Sequence, residues 1–174
     1  MSIFERFSTY PSDLVGLLAF FAATIACLIA ARRSGLRDAR TWNVLALINC
    51  LFVIEIYFGS RYRINALTRT LLKTAGLYSQ MHGVFQKTII IVIVAMALIF
   101  VALFLFWRPV SSGAARVAAS ITIAVLALFV IETVSLHAID LIFYRPIGPL
   151  LMHGWVWAIA AAGICLAALQ RSHA

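Results

Sequence analysis

The fold class is decided by the stretch from Val117 to Asp140, which reads VAASITIAVLALFVIETVSLHAID. Its apolar part can cross the ~30 Å hydrocarbon core of a bilayer, which takes about 20 residues of helix. Three ionisable side chains, Glu132, His137 and Asp140, close the stretch. Because such groups are costly at membrane depth, they usually face a bundle interior, a cavity or a functional site.

Four further stretches meet the same length requirement. The 174 residues are 64% hydrophobic and only 11% charged, whereas soluble domains are about half apolar and a quarter charged. Backbone groups in lipid must be bonded within their own segment, and no strand-like alternation occurs, so each stretch is predicted to be a helix. We therefore predict one all-α integral-membrane domain without internal repeats, residues 1–174, with spans at about 14–31, 41–60, 88–107, 117–140 and 149–169.

The segment between the second and third spans is more polar than the spans themselves. Apolar residues such as Leu67 and Leu71 recur there at helical spacing, and basic residues such as Arg69 and Lys73 fall between them. This pattern predicts an amphipathic helix at about residues 63–79 that lies in the headgroup layer.

The net charge of +8 is carried mainly between the spans, where cytoplasmic loops and anionic headgroups account for it. No basic domain lies outside the predicted spans, so nucleic acid is not an expected partner. Lys and Arg divide equally between the two faces. Four arginines between Arg32 and Arg40 directly follow the first span, and this favours an external N-terminus. The expected location is the cytoplasmic (inner) membrane of a bacterium.

The polar residues of the later spans are predicted to gather at one membrane face. In either orientation, the second and fourth spans end at the face where the third and fifth begin. The ionisable residues near these ends are candidates for a metal site or a proton relay: His137, Asp140, His153, Glu55, Glu132 and His82. Random placement would scatter such residues, so their distribution predicts a polar pocket in one leaflet.

His137 and Asp140 are three residues apart and are therefore neighbours on a helix surface. A carboxylate that accepts from one imidazole nitrogen fixes the tautomer and orientation of the ring. That arrangement serves a proton relay, a site for Zn, Cu(II) or Fe, or an axial ligand of haem iron. These alternatives stay open, as does the interpretation that the polar groups only join neighbouring helices.

Basic residues on the same face form a second candidate site. Arg61, Arg63 and Arg145 are the candidates for binding an anionic headgroup, because guanidinium binds phosphate bidentately. The alternative is that their side chains extend to the membrane surface without a specific ligand. The sequence has no G-x-x-x-x-G-K, G-x-S-x-G or H-E-x-x-H motif, so it gives no support for nucleotide-driven transport or serine hydrolysis. Whether the chain is an enzyme stays open.

The leading hypothesis is a small polytopic membrane protein whose one-sided pocket binds a metal or haem iron, or relays protons, within a redox or transport system. An alternative is a non-catalytic accessory or assembly subunit, whose partner is another membrane protein or a second copy of the chain. A third hypothesis is a protein that handles lipid phosphates through its arginines.

Overall fold

A computed structural model describes residues 11–76, 84–106, 112–134 and 141–172. It confirms the all-α fold. The helices of this part of the chain are α1 (Pro11–Arg32), α2 (Leu36–Phe58), α3 (Ser60–Thr74), α4 (Val84–Phe106), α5 (Gly113–Val134) and α6 (Met152–Ser172).

Four helices, α1, α2, α5 and α6, are long and apolar enough to cross a membrane, and α4 contains a shorter apolar stretch, Lys87–Leu103. Large apolar side chains such as Leu18, Leu47 and Ile159 are exposed on the outside of the bundle. A surface of this kind is expected to contact lipid, so the chain is an integral membrane protein in contact with the bilayer.

The bundle is organised around α1 and α5. Helix α1 packs against α2 and α6, while α5 packs against α4 and α6 and more lightly against α2. In lipid, helices gain little from burying apolar side chains against each other. Their association depends instead on close van der Waals packing, which small residues allow. Gly16 illustrates this requirement, because a Cβ atom there would lie 2.3 Å from Cε3 of Trp157.

Gly59 separates α2 from α3. Its φ of 61° is left-handed, a conformation that glycine adopts without the strain of a side chain, and its N–H donates to the carbonyl oxygen of Glu55 at 2.7 Å. The chain therefore turns here, and α3 leaves Ile64, Leu67 and Leu71 exposed along one face. An exposed apolar face beside basic residues is typical of a helix in the headgroup layer.

The last connection differs from the sequence prediction, which began the final span at Pro149. Two-residue strands β1 (Pro146–Ile147) and β2 (Leu150–Leu151) pair antiparallel, and α6 begins after them, at Met152. Gly148, with φ 63°, and Pro149 form the turn between the strands. A glycine at the first central position is what a type II′ hairpin turn requires, so proline here belongs to the hairpin and not to the helix start.

The helix directions define two ends of the bundle. At the polar end, α1 and α6 begin and α2 and α5 finish, and Ser12 Oγ accepts from the backbone N–H of Leu151 at 2.8 Å. At the arginine end, α2 and α5 begin. The arginines that α1, α2 and α5 or their connections contribute to that end are Arg32, Arg33, Arg37, Arg40 and Arg116, and Arg171 lies in the last turn of α6 at the same end.

Candidate functional site

Three aromatic rings, here called the ring stack, join three helices below the polar end. The ring of Phe129 on α5 lies between those of Phe52 on α2 and Trp157 on α6. Its centroid is 4.9 Å from that of Phe52 and 5.4 Å from that of Trp157, with planes inclined by 6° and 2°. Phe20 of α1 packs at an angle against both phenylalanines. The stack fixes the relative height of α2, α5 and α6.

Each helix of the ring stack carries an ionisable residue one turn nearer the polar end. Glu55 follows Phe52 by three residues, Glu132 follows Phe129 by three, and His153 precedes Trp157 by four on the oppositely directed α6. At 1.5 Å per residue, they lie about 4.5 to 6 Å above the rings. We call Glu55, Glu132 and His153 the polar layer.

The polar layer is largely removed from solvent. Glu132 is 7% exposed and His153 is 2% exposed, whereas Glu55 is half-buried and has one buried oxygen, Oε2. Carboxyl and imidazole groups are buried at a high free-energy cost unless they share protons or hydrogen bonds. Because burial of each group is costly, the placement of all three in one layer makes them a candidate functional site.

His153 has a defined orientation. Its Nδ1 lies 3.2 Å from the carbonyl oxygen of Phe143, and a carbonyl oxygen only accepts, so Nδ1 donates in this contact. In the neutral ring, the buried Nε2 is then the nitrogen that can accept a proton. The rings of Tyr144 and Trp157 also pack against the imidazole, with centroids 5.3 and 4.6 Å from its own.

The β1–β2 hairpin lies over this end of α6. The indole N–H of Trp155 donates to the carbonyl oxygen of Ile147 at 2.9 Å, and the N–H of Met152 donates to that of Arg145 at 3.0 Å. The start of α1 packs equally closely, because a Cβ on Gly154 would lie 2.8 Å from Cβ of Ser12. The imidazole is therefore held in place from several sides.

Of the six predicted metal or relay residues, the structure places Glu55, Glu132 and His153 at corresponding heights on adjacent helices. His82, His137 and Asp140 lie outside the described residues. Within the described ranges, no group of three or more His, Cys, Asp or Glu side chains is arranged to hold a metal ion. The predicted metal site therefore has no support from this part of the chain.

The predicted anion-binding arginines are only partly described. Arg63 on α3 and Arg145 before the hairpin are exposed, and the side chain of Arg61 is outside the described part. Exposed arginines near a membrane surface are compatible with headgroup contact, so this site stays a prediction.

Sequence reasoning missed two buried aspartates. Asp13 in the first turn of α1 is 5% exposed, near the polar end. Asp38 in the first turn of α2 is also buried, and its carboxylate accepts from the N–H of Ser112 at 3.0 Å. A signal for both was available, because acidic residues are favoured in the first turn of a helix.

The sequence also contains an internal repeat, contrary to the expectation of none. Leu51–Glu55 and Leu128–Glu132 are the same pentapeptide, LFVIE. Each copy is followed by a Tyr-Arg pair, Tyr62-Arg63 or Tyr144-Arg145, and then by Met-His-Gly. The second Met-His-Gly contains His153, and the first contains His82. Both glutamates of the polar layer thus occupy the same position of a repeated motif.

One contact joins the two copies of the pentapeptide. Phe52 and Phe129 are equivalent residues of the two LFVIE copies, and they stack on each other. The helices that follow the two copies do not pack equivalently, because α6 packs against α5, the helix of its own copy, whereas α4 also packs against α5 among the main contacts of the described residues. The likeness between the copies therefore lies in their sequence and in this one ring contact.

No protein-family model, curated protein or solved structure matches this chain. The comparison that remains is the one between the two copies of the motif within it.

Proposed function

We propose that this chain is a small membrane protein whose polar layer takes up and passes protons at one membrane face, as part of a transport system. The observation that carries the proposal is the repeat. Two identical LFVIE segments each present a glutamate one turn beyond a phenylalanine of the ring stack, with His153 at a corresponding height on the neighbouring helix.

The chemistry of the layer supports protons as the species handled. Carboxyl and imidazole groups are the side chains that most often accept and donate protons in proteins. Intramembrane acidic and histidine side chains that face a bundle interior commonly form proton relays. A relay requires only these groups and water, whereas a metal site would also need ligands from outside the described residues.

The repeat supports transport over a purely redox role. Many transporters are built from internal repeats, and their coupling-ion sites lie where the repeats meet. Here the two equivalent phenylalanines meet, and both glutamates lie beside that contact. This support comes by analogy of architecture, and the chemistry of the polar layer has to be tested directly.

Infrared titration of the chain in lipid nanodiscs tests the proposal. We expect carboxylic-acid C=O bands that respond to bulk pH and to D₂O, with one band lost in Glu132→Gln and another in Glu55→Gln. Thr133→Val is the matched control, because its hydroxyl bonds the carbonyl oxygen of Phe129 on the same turn of α5. If these bands do not change with pH or in D₂O while the protein is folded, both glutamates have only a structural role in helix packing.

The topology that accompanies this proposal has five spans. Helix α4 has 23 residues, about 34 Å at 1.5 Å per residue, and this length suffices for a bilayer core. With the N-terminus outside, the arginine end faces the cytoplasm, and the basis for this orientation is the group of four arginines directly after the first span. Cysteine accessibility measured at both ends in spheroplasts would test the arrangement in a bacterial inner membrane.

One observation favours a second function, that of an accessory subunit. Among its main contacts, α4 packs only against α5, and Ile91 and Leu98 are among its exposed side chains. Such a face is suited to a partner helix as well as to lipid. Native mass spectrometry from mild detergent discriminates, because an accessory subunit is recovered with a stoichiometric partner and a self-sufficient transporter is not.

A further inference from the structure

A groove on the outside of the bundle lies between α2 and α5 at the arginine end, far from the polar layer. It has a volume of about 280 Å³, slightly below the ~300–1,000 Å³ of pockets for drug-sized ligands. Arg40 lies at its outer end, and Val44, Leu45 and Ile48 continue along α2. Opposite them, α5 contributes Ala119, Thr122 and Ile123.

The shape of the groove fits one alkyl chain. From Arg40 to Ile48, it follows α2 for about 12 Å at 1.5 Å per residue. Ile48 is the innermost residue of α2 that lines the groove, and one turn beyond it Phe52 stacks on Phe129. The hydroxyl of Thr122 already donates to the carbonyl oxygen of Ala118 at 2.9 Å, so the wall presents little unsatisfied polarity to an alkyl chain.

The outer end of the groove is suited to an anion. Arg40 lines it, and Arg116 lies one turn before Ala119 on α5. Helices α2 and α5 both begin at this end, and helix N-termini carry partial positive charge. Asp38 is the one acidic residue described at this end, and its carboxylate is buried and accepts from Ser112.

The packing of α1 and α4 explains why the groove is open. Phe20 of α1 touches both phenylalanines of the α2–α5 contact and so covers one side of this helix pair. Helix α4 packs mainly against α5, and Val44 of α2 is 55% exposed. The cleft is therefore open on the outside of the bundle, where the bilayer is expected to surround it.

We propose that this groove binds one anionic phospholipid, with its phosphate at Arg40 and part of an acyl chain along Val44 and Ile48. The guanidinium recognises the phosphate through charge-assisted hydrogen bonds, which are stronger than those between neutral groups. Both the charge and the chain are needed for retention, because the mouth is polar and the wall is apolar.

Native mass spectrometry of the full chain in detergent tests the proposal with three probes: phosphatidylglycerol, phosphatidylcholine with the same acyl chains, and glycerol 3-phosphate. We expect one phosphatidylglycerol to be retained in preference to phosphatidylcholine, and glycerol 3-phosphate not to be retained. Arg40→Gln should weaken phosphatidylglycerol binding about tenfold or more, as the loss of a charged hydrogen bond does.

Two further variants distinguish lipid binding in the groove from lipid binding to surface charge in general. Val44→Trp fills the groove from an exposed position and should reduce the retention of both lipids. Arg37→Gln is the matched control, because Arg37 is exposed on the same turn as Arg40 and does not line the groove. Equal retention of the two lipids, retention of glycerol 3-phosphate, or an equal loss in Arg37→Gln would overturn the proposal.

Discussion

Replacement of Gly16 by alanine tests whether close packing between α1 and α6 holds the ring stack in place. The added Cβ would lie 2.3 Å from Cε3 and 3.0 Å from Cζ3 of Trp157, and 3.3 Å from Cδ1 of Ile56. Carbon atoms in contact are normally about 3.5–4.0 Å apart. The indole ring would therefore have to move by about 1 Å, and it cannot do so freely, because Phe129 stacks on it.

The expected loss of stability follows from two opposing contributions. Overpacking of a buried site costs typically ~1–3 kcal/mol, and the upper part of that range applies because Trp157 is only 1% exposed. Alanine gains at most ~1 kcal/mol over glycine as a helix former. We therefore expect Gly16→Ala to lower the free energy of unfolding by about 2 kcal/mol, measured by reversible unfolding in mixed micelles or bicelles.

Two controls show whether the clash is the cause. Gly113→Ala adds a Cβ with nothing within 4 Å, so it should not reduce stability. In a Trp157→Leu background, the ring is absent and Gly16→Ala should cost little, which gives a coupling energy of about 2 kcal/mol between contacting positions. An unchanged stability in Gly16→Ala, or the same loss with and without the indole ring, would refute the reasoning.

Three other substitutions are expected to lower stability for local structural reasons, each measured by thermal unfolding in detergent. Gly148→Ala should cost ~1–2 kcal/mol, because φ there is 63° and a side chain is strained in that conformation; an effect near zero would mean that the hairpin turn does not form as described. Phe129→Leu should destabilise more than the exposed control Phe21→Leu, because ring pairs contribute ~0.5–1.5 kcal/mol each; equal effects would contradict the ring stack. Asp38→Ala leaves the N–H of Ser112 without its acceptor and should cost ~1–3 kcal/mol, whereas Asp38→Asn, which keeps a carbonyl oxygen, should cost less.

Hydropathy and length were sufficient to predict the helical class, since each span needs only an apolar run of the right length. Helix ends were harder to place, because charged residues that extend a helix into the headgroup layer do not look like part of a span. Asp38 and Arg40 were expected in a loop and belong to the first turns of α2. In the sequence, Pro149 is equally compatible with the start of a helix and with a turn. The pairing of Pro146 with Leu151 shows that it belongs to a turn.

The candidate site was predictable in part. Helix direction alone placed Glu55, Glu132 and His153 toward one face, because alternate spans run in opposite directions. The ring stack was not predictable from periodicity, since an apolar phenylalanine is as compatible with lipid as with a neighbouring ring. A search for identical segments would have found the two LFVIE copies and identified Phe52 and Phe129 as equivalent positions.

The ring stack also limits how protons could move through the bundle. Beyond it, toward the arginine end, the described core contains alanines, Cys27, Val125 and Ile164. Two buried polar side chains within that core, Asn49 and Thr122, each donate to a carbonyl oxygen one turn earlier on their own helix, and buried Asp38 lies at the arginine end itself. Neither an amide nor a hydroxyl takes up and releases protons as carboxyl and imidazole groups do. In the proposed function, protons that reach Glu132 would therefore be used in the polar half of the bundle, unless Phe52 and Phe129 separate. The contact between these two rings is therefore the barrier that a path through the bundle would have to open.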